Sequence, residues 1–175
     1  MTTAEKNKID ILAERIDQYC KQAEPELDYY IQQHSYYLTL IDQTGFNDPE
    51  QDLVLLGPAT LGRIEIWYSM ARKEAISIAG KCRELQKFYL ANAEQAKSNQ
   101  YERVRLGDYD SKMSSATDAK EIAWRVGGRL EEKAARYEGD YLRWQGIADS
   151  YEQMGNAVKD SFKLAEYEFH LLKSR

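Results

Sequence analysis

A chain of 175 residues is the size of a single domain, and with 43% hydrophobic residues it has enough apolar side chain to bury a core. That hydrophobic share argues against a disordered chain, while 30% charged residues and only three Pro favour helix over a turn-rich all-β fold. A formal charge of −5 argues against general coating of nucleic acid and leaves room only for a local basic patch.

That charge is uneven. Residues 1–62 hold 4 Lys/Arg against 11 Asp/Glu, residues 63–143 hold 16 against 13, and residues 144–175 hold 4 against 5. The cationic surplus therefore falls in the middle of the chain. The opening "MTTAEKNKIDILAERID" mixes both signs and lacks the apolar core of a signal peptide. No run approaches the roughly 18 apolar residues of a membrane span. Cys20 and Cys82 lie far apart and read as reduced thiols, so a cytoplasmic location is expected.

The first predicted helical stretch covers residues 1–43. Ile9, Leu12, Ile16, Tyr19 and Ala23 step by three and four, and the stripe resumes after Pro25 with Leu27, Tyr30, His34, Tyr37 and Ile41. Pro25 lacks an N–H and crowds the preceding turn, so a kink or restart is expected there. "DQTGFNDPEQD" reads as a turn, with Gly45 as the stop signal and Asp48 as a cap before Pro49. Gly57–Pro58 marks a second break.

The second stretch covers residues 59–100. Leu61, Ile64, Tyr68, Ala71, Ala75, Ile78, Cys82, Leu85 and Tyr89 alternate steps of three and four without a miss. "KSNQYERVRLGDYDSKMSSATD" then forms a polar connection, and Asp118 with Glu121 resembles a capping box.

The third stretch, residues 118–173, repeats the pattern on a larger scale. From Ala123 the series runs Gly127, Leu130, Ala134, Tyr137, Tyr141, Trp144, Ala148, Tyr151, Gly155, Val158, Phe162, Ala165, Phe169, Leu172. This is the 3.5-residue period of a coiled-coil seam. Rings share the stripe with Ala and Gly, so aromatic side chains of one helix are expected to fill hollows over small residues of another. Gly127 and Gly155 are read as points where a second backbone comes close.

With no internal repeat and no linker, one domain spanning residues 1–175 is expected. The fold class is all-α, an elongated bundle of three long helices with heptad seams. A helix of about 55 residues would extend roughly 80 Å, which points to helices continuing into other copies of the chain. Tyr141, Trp144, Tyr151 and Phe162 are too many for one partner helix to cover, so these residues, with Gly155, are the expected homo-oligomer interface.

Catalytic chemistry is hard to place. The two histidines are His34, on the apolar stripe, and His170, near the end of the chain. A ferritin-like centre needs two Glu-x-x-His motifs, and the chain has none. The cysteines have no zinc spacing, "RVGGRLEE" lacks the spacing of a phosphate loop, and "RLGDYDSKMSS" lacks the order of a calcium loop. The expectation is a protein that is not an enzyme and needs no cofactor or metal.

One polar pattern points elsewhere. Arg125, Arg129, Lys133, Arg136 and Arg143 fall within about 80° of one another on a helical wheel, forming a basic line suited to phosphates. Arg72, Arg83 and Lys87 make a shorter set on the second helix. The competing reading is a solvated face held by Glu121–Arg125 and Glu132–Arg136 pairs, with Glu132 and Asp140 interrupting the line.

The order "KFYLANAEQ", "NQYERVRLGDYDSKMSSATDAK", "YLRWQGIADSYEQMGNAVKDS" over residues 80–163 resembles the helical recombination mediators of tailed phages, the UvsY-like proteins. The resemblance lies in helix order and aromatic placement. It implies a helical protomer in a ring, single-stranded DNA binding, a RecA-like recombinase as partner, a phage origin and the bacterial host cytoplasm. The other class is a phage or prophage helical interaction protein, an assembly factor or an inhibitor of a host enzyme, that binds no nucleic acid.

Overall fold

A computed structural model of the chain describes residues 3–48, 56–105 and 116–173. It contains three helices, α1 (Thr3–Asp42), α2 (Gly57–Arg105) and α3 (Ala116–Lys173), that pack against one another. No strand occurs among the described residues, so the protein is an all-α helical bundle.

The helix ends differ from the sequence reading in instructive ways. Pro25 lies inside α1 without ending it, so the expected restart does not occur. α2 runs five residues past Gln100, because Ala93, Ala96, Gln100 and Val104 continue its buried stripe. α3 begins at Ala116, which places Asp118 in its first turn instead of at the cap. The proposed Asp118–Glu121 box is corrected accordingly. Pro49 and most of the polar connection before α3 lie outside the described residues.

The turn after α1 matches expectation. Gly45 has φ +74°, a left-handed conformation that only glycine adopts without strain. The amides of Thr44 and Gly45 donate to the carbonyls of Ile41 and Asp42, both at 3.0 Å. The Thr44 hydroxyl also donates to the Ile41 carbonyl at 2.6 Å, closing the end of the helix. α2 starts from Gly57 at φ +69°, with Pro58 next, where its missing N–H costs nothing.

Packing groups the chain into two compact units, each drawing a segment from all three helices. The first contains residues 1–26 and 80–141. Its core gathers Ala23, Leu85, Tyr89 and Ala134, with Ile16, Tyr19, Phe88, Leu130 and Tyr137 around them. Tyr89 stacks on Tyr137 at 5.6 Å, and Tyr19 stacks on Phe88 at 3.9 Å. Burial pushes the Tyr89 and Tyr137 hydroxyls above their ordinary titration range. At the edge of this core Tyr19 donates to Glu84 at 2.6 Å, and Lys81 bridges Glu26 and Glu84 at 2.7 and 3.1 Å. Burial and then Glu84 push the Tyr19 hydroxyl up to about 12.

The second unit contains residues 27–79 and 142–175. Ile41, Leu61, Ile64, Tyr68, Val158 and Ala165 form its core, flanked by Leu38, Phe46, Trp67, Tyr151 and Phe162. Tyr68 donates to Asn47 at 2.9 Å, and Asn47 donates to Asp42 at 2.9 Å, which ties the turn to α2.

His34 is buried in this unit. Its Nε2 is hydrogen-bonded to the Tyr151 hydroxyl at 2.9 Å, and Trp144 meets it edge-on at 5.0 Å. Burial lowers its pKa below the ordinary 6.5. An unfolded chain therefore takes up the proton first, and stability falls as pH drops below about 6.5 through the lower folded value. Melting temperatures between pH 7.5 and 5, measured by circular dichroism, are expected to decline with acid, and the decline should be shallower in His34→Gln. Equal slopes in the two proteins would contradict this account.

Candidate nucleic-acid interface

The helix face that the seam residues occupy decides which face remains for ligands. In α2 every residue of the series from Leu61 to Tyr89 is buried. In α3 every described residue of the series from Ala123 to Ala165 is buried or half-buried; the side chains of Phe169 and Leu172 lie outside the described residues. The three-four spacing turns one face inward, as helical geometry requires.

That result bears directly on the expected oligomer interface. Tyr141 lies under the Arg83 guanidinium, 5.0 Å from its ring centroid. Trp144 and Tyr151 contact His34, Tyr151 also meets Tyr68 at 5.9 Å, and Phe162 packs on the second core. These rings are engaged within their own chain. Gly155 is half-buried, yet a Cβ built there would meet no heavy atom within 4 Å, so among the described residues no second backbone approaches it closely. Gly127 does serve a close approach, though to a side chain. A Cβ there would lie 2.5 Å from Lys97 Cγ, so the missing side chain makes room for the Lys97 stem.

With the seam turned inward, the basic line faces solvent. Arg125, Arg129, Lys133 and Arg136 are exposed on α3 in the first unit; Arg143 is exposed in the second. The two i, i+4 pairs exist: Arg125 to Glu121 at 2.6 Å and Arg136 to Glu132 at 2.9 Å. All four side chains are at least three-fifths exposed, and such pairs contribute only about 0–1 kcal/mol. They release their arginines cheaply to a phosphate. Lys133 reaches over the Tyr89 ring at 5.5 Å, while Arg129 and Arg143 make no ion pair among the described residues.

The shorter set on α2 is less available. Arg72 is paired with Glu152 at 2.5 Å in the second unit, and Arg83 covers Tyr141 and donates to Gln86 in the first. Lys87 is exposed.

Sequence reasoning passed over one residue. Trp124 is 67% exposed, the most open of the large hydrophobic side chains among the described residues. It lies beside an open pocket of about 390 Å³ lined by Lys97, Ser98 and Tyr101 of α2 and Lys120, Ala123 and Trp124 of α3. Lys97 is ion-paired with Glu131, and its ammonium lies 5.9 Å from the Trp124 ring centroid. The signal available in the sequence was a tryptophan about 60–100° off the seam, on a helix where most other large rings follow it, Tyr167 being the other exception.

Other chemistry finds little footing. No group of three or more His, Cys, Asp or Glu among the described residues is arranged to hold a metal ion. Both cysteines are free thiols. Burial, and then Asp140, raise the Cys82 thiol to about 11, so it is a poor nucleophile at neutral pH. His170 is exposed, and His34 is committed to Tyr151. Among the described residues no helix is long and apolar enough to cross a membrane. Comparisons with family models, with curated proteins and with solved structures find no match to this chain.

Proposed function

We propose that the protein is a non-enzymatic helical accessory factor that binds single-stranded DNA along the basic face of α3. The observation that carries this reading is the set Arg125, Arg129, Lys133 and Arg136, exposed on one helix face of the first unit while the seam beside it is buried. The first and last of these four are 11 residue steps apart, roughly 16 Å at 1.5 Å per residue, enough for several phosphates of one strand. Binding of this kind is electrostatic and falls steeply with salt. Fluorescence anisotropy with a labelled oligonucleotide across a salt series tests it, and a wild-type protein without affinity at low salt would remove it.

A recombination-mediator role, with a RecA-like recombinase as partner, extends this proposal through the resemblance of residues 80–163 to UvsY-like proteins. Self-association belongs to the same reading. Since the seam rings are occupied within the chain, a second copy would dock on exposed apolar side chains such as Leu164, Tyr167 and Leu171. These are 56%, 63% and 49% exposed, and they fall within about 60° on the α3 wheel. Sedimentation at micromolar concentration is expected to give an oligomer that Leu164→Glu with Leu171→Glu weakens. A monomeric wild type would refute it.

The second functional class, a protein-binding factor with an acidic N-terminal part, is favoured by no contact described above.

A further inference from the structure

An exposed tryptophan is costly to leave in water, because its ring is among the largest apolar side chains. Here it is held beside a pocket whose volume, about 390 Å³, falls in the range of small-molecule sites. The walls are aromatic and aliphatic: Trp124, Tyr101, Ala123 and the stems of two lysines. Lys120 brings to the pocket edge a cation unpaired among the described residues, while Lys97 is paired with Glu131 and Arg125, next to Trp124 in the chain, with Glu121. A flat apolar wall with cations at its edge matches a planar base carrying a phosphate.

Lys97 shows how the site is held. The stem crosses α3 over Gly127, where any larger residue would collide with it, and the ammonium is anchored by Glu131. That anchoring fixes one charge beside the Trp124 ring. Lys120 has no ion-pair partner among the described residues, so its charge is available to a ligand.

We propose that this pocket is a base-stacking site, in which one base of a bound single strand lies on Trp124 and a flanking phosphate meets Lys120. The proposal rests on the single-stranded DNA reading and adds to it an aromatic contact, separate from the basic line. Aromatic platforms of this kind are tolerant of sequence because every base offers a π face.

The test compares an oligo-dT strand with an abasic strand of equal length, by anisotropy across a salt series. Wild-type protein should bind oligo-dT about 5- to 150-fold more tightly than the abasic strand. Trp124→Ala should lose a similar factor on oligo-dT, lose little on the abasic strand, and keep the wild-type salt slope. Trp124→Phe should recover much of the loss. Lys120→Gln should instead flatten the slope by about 0.7. Circular dichroism of each variant verifies folding, which substitution of so exposed a ring should leave intact. If wild type binds both strands and Trp124→Ala binds them equally well, the stacking site is wrong while the basic-face reading stands. If Trp124→Ala loses as much on the abasic strand as on oligo-dT, the ring acts without a base, and the proposal is overturned. If wild type binds neither strand, the DNA reading itself falls, and the stacking site with it.

Discussion

Reversing Arg129 and Arg136 to Glu together is expected to weaken single-stranded DNA binding by roughly 100-fold or more at low salt, since each charge-assisted contact contributes about 1.5–3 kcal/mol and every 1.4 kcal/mol is tenfold. The loss should be similar for all base sequences, because phosphate contacts carry no sequence information. Each lost contact should also flatten the salt slope by about 0.7, so the pair should flatten it by about 1.4. Stability should barely change. Arg136 gives up one exposed pair with Glu132, and a new like-charge i, i+4 contact costs only a few tenths of a kcal/mol. At position 129 a Glu would sit between Arg125 and Lys133, which offsets part of that cost. Anisotropy beside a thermal melt separates the outcomes. Unchanged binding would move DNA away from α3, toward Arg83 and Lys87. A collapse of the melt would mean the arginines hold helices together.

Ile64→Ala is expected to destabilise the protein by about 2–5 kcal/mol, the usual range for removing a buried branched side chain and leaving a cavity. Ile64 is fully buried in the second unit, in one cluster with Ile41, Leu61, Tyr68 and Val158. Ile66, two residues away on the same helix, is 59% exposed. Ile66→Ala should therefore stay within about 0.5 kcal/mol of wild type, helped by the better helix propensity of Ala. The pair shares one chemistry and one helix and differs in burial alone. Chemical denaturation followed by circular dichroism gives both values, and comparable losses at the two positions would show that the cluster is packed differently.

The helices and their inward faces were legible in the order of residues, because a three-four spacing has one geometric solution. The series from Leu61 to Tyr89 is buried to the last residue, and the series from Ala123 to Ala165 is buried or half-buried throughout. Gly45 could be read as a stop because few residues other than glycine adopt a positive φ without strain. Pro25 was expected to kink or restart α1, and the restart does not occur. Its local preference is against a helix interior, yet α1 continues through it, since propensity is outweighed by packing on either side. The basic line was legible as an angle on a wheel, and so were its i, i+4 pairs.

What periodicity does not contain is the identity of whatever covers a face. A seam looks the same whether it packs on its own chain or on another copy. Only the tertiary structure spends Tyr141, Trp144, Tyr151 and Phe162 on Arg83, His34, Tyr68 and the second core. For the same reason the division into two compact units cannot be read from three uninterrupted stripes. Trp124 was hidden by its position just off the seam, where a ring is either tucked in or left out. Its exposure depends on how α2 and α3 pack around Gly127 and Lys97, which is a contact between residues distant in the chain.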